Sequence, residues 1–199
     1  QSSMLGGIRG DVPYVTWREG PARYLLTWEE AQEFKGLATD QERARFVERF
    51  WARRDPEPRT LINEYRMEFW KRVADSGRLF TESSKPGWKT DRGRVYILLG
   101  PPDDLDTSQE MGQGLGANGV RGVVIWRYAR SPAPHLPTGL TIVFTQDPSG
   151  EFRLETDPRI VQQIMQGPVL AGDPSAGEFG MNVAEVSARL TGIGLLADL

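Results

Sequence analysis

Apolar positions follow two different periods along this chain of 199 residues, and the change falls near residue 90. Up to about residue 76 they recur at helical spacing. In "LLTWEEAQEF", Thr27 is followed three residues later by Glu30, a capping box that predicts a short helix from Trp28 to Lys35, stopped by Gly36. Thr39 and Glu42 repeat the device. The stripe of Ala44, Phe46, Val47, Phe50 and Trp51 then predicts a second helix ending near Arg54, since Pro56 disfavours helical geometry at Asp55. A third helix is expected with Thr60 as its cap, Ile62, Tyr65, Phe69 and Val73 on one side, and Gly77 as its stop. Glu68 and Arg72 lie four apart and can pair on its exposed side.

Beyond that point the runs shorten and become β-branched and aromatic. "RVYILLG" (94–100), "GVVIWRYA" (122–129), "GLTIVFTQ" (139–146) and "EFRLE" (151–155) read as four strands, the last two joined at the tight-turn signal "DPSG". "DPRIVQQIMQG" (157–167) reads as a helix capped by Asp157 with Pro158 at its first position. The expected fold is therefore α+β: about three helices packed on a mostly antiparallel sheet of about four strands, within a domain spanning 24–167. Residues 1–23 and the Gly/Ala/Pro-rich stretch 168–199 read as extended arms. Their large apolar residues, Tyr14 and Trp17 in one and Leu195 and Leu196 in the other, are the interface candidates.

Composition narrows the function. Hydrophobic residues make up 39% and charged residues 26%, as in a globular chain. The net charge of −3 gives no reason to expect nucleic-acid binding. There is no cysteine, and His135 is the single histidine, placed by its flanking prolines in an exposed loop. Thiolate chemistry is thus excluded, and a histidine-based triad or metal site has almost nothing to draw on. No apolar stretch is long enough to cross a membrane as a helix. The start at Gln1 rather than Met reads as a processed or truncated product.

Four stretches invite a chemical reading. "GLGANG" (114–119) fits the dinucleotide spacing but lacks a strand before it and a helix after it, so a hairpin loop is expected and no nucleotide. Asp103, Asp104 and Asp106 resemble the start of a calcium loop, yet Gln109 and Leu115 stand where the glycine and late glutamate belong, so a solvated turn is expected. Arg54, Asp55 and Asn63 can form a polar knot at the second helix's end. In "GWKTDRG", Gly87 permits a tight turn beside Trp88, Thr90 and Asp91 can bond nearby backbone N–H groups, and Gly93 permits a positive φ at a strand entry. The turn reads as a lock between helices and sheet. Its competing reading is a recognition corner with Asp91 exposed.

These residues also carry a resemblance. "PGWKTDRGRVYILLGPPD", with the upstream pairing of "FW…RDP" and "NEYR", resembles the GWxTD-domain family over 24–105, extending to about 156. The matching positions are Phe50, Trp51, Arg54, Asp55, Pro56, Asn63, Glu64, Arg66, Gly87, Trp88, Thr90, Asp91 and Gly93. The resemblance implies an exported or envelope-associated bacterial protein and carries no established reaction, catalytic residue or cofactor. The expectation is a periplasmic, non-enzymatic accessory or assembly subunit that docks onto protein partners of a larger complex, possessing no cofactor. The alternative is a ligand-binding or hydrolytic enzyme using Asp91, Asp55 and nearby arginines in a cleft.

Overall fold

The computed structural model describes residues 14–82, 84–111, 120–133 and 135–165. Five α-helices and a four-stranded antiparallel sheet make an α+β fold within them. Helices α1 (Trp28–Gly36), α2 (Asp40–Ala52) and α3 (Glu64–Leu79) form the helical layer. Both anticipated capping boxes are made: Thr27 with Glu30, and Thr39 with Glu42. Backbone N–H donors at Thr39 and Ala38 hold the Glu42 carboxyl below its usual range.

The third helix starts later than its sequence signals imply. Asn63, not Thr60, is the N-cap, its Oδ1 accepting from Arg66 N at 2.7 Å. Ile62 therefore lies before the cap and is 55% exposed. Gly77 does not end the helix, which continues to Leu79, and a Cβ at this position would meet nothing within 4 Å. Nor is the Glu68–Arg72 pair on the outside. It is largely buried, and Arg72 also reaches the Ile97 carbonyl at 3.3 Å.

The main correction concerns "RVYILLG". It is not a strand but the body of α4 (Asp91–Leu99), ended by Gly100 at φ +82. Val95, Tyr96, Ile97 and Leu99 are all buried. A helix lying between two apolar layers is apolar on every side, and its short run has no helical stripe to read. Val95, Tyr96 and Leu99 join the core against the sheet, while Ile97 joins the core of the helical layer.

The first strand is instead β1 (Asp104–Met111), where the aspartates were expected to form a turn. It pairs with β2 (Val120–Tyr128), which pairs with β3 (Leu140–Gln146), which pairs with β4 (Phe152–Leu154), all antiparallel in chain order. Trp126, Tyr128, Ile142 and Phe144 fill the face turned to α4, helped by Ile164 of α5 (Pro158–Met165). Residues 112–119, including "GLGANG", lie outside the described residues.

Two arm expectations also change. Residues 14–24 are not extended: 3-10 turns at Tyr14–Glu19 and Pro21–Tyr24 carry Trp17 into the helical core, 6% exposed, edge-on to Phe50 at 4.9 Å. Trp17 is thus a core residue and not an interface candidate, whereas Tyr14 is 40% exposed. Leu195 and Leu196 lie outside the described residues. His135 is not an exposed loop residue either. Its half-buried ring bonds the Gln163 carbonyl at 2.9 Å, which requires a proton on Nε2, and so ties its loop to α5.

The turn between β3 and β4 forms where "DPSG" placed it. Asp147 accepts from Ser149 N at 2.8 Å, Glu151 N at 3.1 Å and Arg153 Nε at 2.9 Å. Ser149, then Arg153, hold its carboxyl well below the usual range. A folded pKa below the unfolded one gives stability that is full above the unfolded value and is lost as the pH falls through the folded value. Asp147→Asn should therefore melt earlier than the parent at neutral pH. The two should converge as melting is followed from about pH 5 to about pH 2. A gap that stays constant with pH would contradict this account.

Candidate functional site

Two knots hold the residues that the sequence singled out. The first lies where α2 ends. Arg54 is 2% exposed, and both its terminal nitrogens donate twice. They bond Glu30 Oε1 at 3.0 Å and Oε2 at 2.7 Å, and the carbonyls of Phe50 at 3.0 Å and Leu25 at 2.9 Å. The guanidinium lies over the Phe50 ring at 3.6 Å. This planar, bidentate and stacked arrangement suits arginine and not lysine. The knot's acid is Glu30, itself 5% exposed, and not Asp55. Asp55 instead accepts from Glu57 N at 3.1 Å and shapes the loop that Pro56 opens. Asn63 donates to the Trp51 carbonyl at 2.7 Å, stapling the start of α3 to the end of α2. Glu64 accepts from Thr60 at 2.9 Å, and Arg66 sits 5.7 Å from the centre of the Trp51 ring.

The second knot is "GWKTDRG". Gly87, Trp88 and Lys89 form one 3-10 turn, and Thr90 caps α4. The Thr90 hydroxyl is fully buried, donating to Gly87 O at 2.7 Å and accepting from Gly93 N at 3.0 Å. Gly87 lies so close to α3 that a Cβ on it would stand 1.9 Å from Ser76 O. A Cβ on Gly93 would stand 1.9 Å from Gly87 O. Both glycines are there because backbones touch. Neither has a positive φ, so the expected conformational reason for Gly93 is replaced by a steric one. Three stretches of main chain are thus stacked without side chains between them.

Trp88 is half-buried. Its carbonyl accepts from the Tyr24 hydroxyl at 2.9 Å, and its ring packs edge-on to Tyr24 with centroids 6.2 Å apart. Asp91 occupies the first helical position, where a carboxylate suits the helix dipole. Its Oδ1 accepts from Arg94 at 3.0 Å, and its Oδ2 from Leu154 N at 3.1 Å. The second bond ties α4 to the edge strand β4. At the far end of α4 the Tyr128 hydroxyl donates to Gly100 O at 3.0 Å. Burial pushes that hydroxyl's pKa up, so it stays a neutral donor.

The same arrangement identifies the chain. The GWxTD-domain pattern matches residues 13–114, just over half of the sequence. The chain belongs to the GWxTD-domain family. The match reaches back to the 3-10 turns that carry Trp17 and forward through β1, so it takes in residues 13–23 of the stretch 1–23 that reads as an arm. No curated protein and no solved structure matches the chain.

The residues that stand out in the sequence do meet in the fold, but some of them have different partners. Glu30 was legible only as a capping residue, although its caps and its ion pairs use the same carboxylate. Ser76, the floor of the Gly87 contact, carries no sequence signal. Among the described residues no group of three or more acidic or histidine side chains is placed to hold a metal ion, and Asp104 and Asp106 pair with Arg127 at 2.8 and 3.4 Å. Among the same residues no helix is long and apolar enough to cross a membrane.

Proposed function

We propose that this GWxTD domain is a docking module, an accessory or assembly subunit of a larger protein complex. The supporting observation is where the signature's functional groups go. Thr90, Asp91, Gly87, Gly93 and Arg54 are all engaged inside the chain, joining α3, α4, β4 and the 3-10 turn. A signature built this way specifies a rigid scaffold, and the surfaces that scaffold presents are left for recognition. The setting we infer is the bacterial cell envelope, the compartment that the resemblance implies.

Two measurements test the reading. Asp91→Ala should lower stability by about 1–2 kcal/mol, a fall in Tm of several degrees, because two hydrogen bonds to a carboxylate are lost. Unchanged melting would remove the scaffold argument. In mild extracts of the native host, gel filtration should place the protein in an assembly well above the mass its own chain shows on a denaturing gel, and fractionation should place it with the envelope. Recovery as free monomer from the cytosolic fraction would sink the proposal.

A further inference from the structure

A shallow, open depression lies between the first 3-10 turns and α1, lined by Arg18, Glu19, Arg23, Leu26, Trp28 and Ala31 among others. Three features mark it. Trp28 is 71% exposed at the first position of α1, while the helix packs inward through Phe34 and Glu30. The fold makes no use of this indole.

Arginines 43, 49, 53, 54, 66 and 72 of the helical layer each pair with a carboxylate, and Arg45, which does not among the described residues, is solvent-facing. Half-buried Arg18, in contrast, has no ion pair or hydrogen bond among the described residues. Arg23 also has no carboxylate partner among the described residues. Its guanidinium lies over the Tyr24 and Trp88 rings at 5.0 and 5.3 Å and bonds the Tyr24 hydroxyl at 3.3 Å.

We propose that this depression binds an acidic linear segment of a partner protein, with a carboxylate on Arg18 and an adjacent apolar side chain against Trp28 and Leu26. An unpaired guanidinium recognises carboxylate by two parallel bonds. Arginine and tryptophan side by side are also the residue types that dominate interface energetics. Charge sets the choice of partner: two arginines without acids face one rim glutamate, so an acidic segment is attracted and a basic one repelled. This inference rests on the docking reading and names its surface.

The test is selection of a phage-displayed random dodecapeptide library on the immobilised full chain, with Arg18→Glu/Trp28→Ala protein as counter-target. Enriched sequences should place Asp or Glu beside an aromatic or aliphatic residue. A synthetic consensus peptide should bind the parent, weaken with added salt, and lose about tenfold or more in affinity to either single variant. Melting of the variants within about 2 °C of the parent confirms that the fold is kept. Enrichment equal on both proteins, enrichment of sequences without acidic residues, or no enrichment at all overturns the depression as a docking site. A native assembly recovered by gel filtration despite such a result would leave the docking reading standing on another surface.

Discussion

Alanine at Gly87 or Gly93 should cost roughly 3 kcal/mol or more, a Tm fall of roughly 6–12 °C, or prevent folding altogether. In each case the new methyl carbon would sit 1.9 Å from a carbonyl oxygen. The obstacle is backbone, which cannot rotate aside as a side-chain tip can. Relief requires α3, the 3-10 turn and α4 to separate, and with them the Thr90 and Asp91 bonds. Gly77 is the internal control, ten residues before Gly87 on α3, with nothing within 4 Å of its own added Cβ. Alanine there should stabilise by about 0.5–1 kcal/mol, because glycine in a helix interior has more backbone entropy to lose. Thermal melts of the three variants decide the matter. A Gly93→Ala protein that melts with the parent would mean the three main-chain stretches are not in contact.

The second large effect is expected at Arg54. Arg54→Met keeps much of the apolar stem but strands the Glu30 carboxylate, which is 5% exposed and left with half-exposed Arg53 as its one ion pair and the Thr27 N–H of the capping box. Breaking a buried pair from one side costs about 3–5 kcal/mol. Arg54→Lys should recover only part of that, since an ammonium can neither hold both carboxylate oxygens and two carbonyls nor stack on Phe50. The double variant Glu30→Gln/Arg54→Met should lose less than the sum of its single changes, by about 1 kcal/mol or more. Denaturant melts give the cycle directly. Strict additivity would show that the two side chains do not depend on each other.

Both expectations concern residues that the sequence marked for attention, yet neither mechanism was readable there. Thr90 caps α4 but, with Gly93 at the third position, lacks the glutamate that marks Thr27 and Thr39, while Gly100 stands where a helix stop belongs. The apolar run between them nonetheless reads as a strand, because a helix covered on all sides loses the polar stripe that distinguishes the two. β1 was missed for the opposite reason. An edge strand meets water on much of its surface, so "DLDTSQEM" carries charge where inner strands carry Val and Ile. Arg54 needs a carboxylate. The nearest in sequence was Asp55, but the one that arrived, Glu30, lies on a different helix.

What the sequence by itself determined was local: the α+β class, both capping boxes, the tight turn at Asp147, three of the four strands, α5 and the family signature. These follow from interactions within a few residues, which spacing and residue type encode directly. The tertiary structure alone decided that α4 is a helix between two cores, that Trp17 is interior, that Glu30 answers Arg54, and that Gly87 and Gly93 serve as contact points between backbones. Each depends on atoms brought together from distant parts of the chain. A missing Cβ records that something must come close, but only the folded neighbour says what.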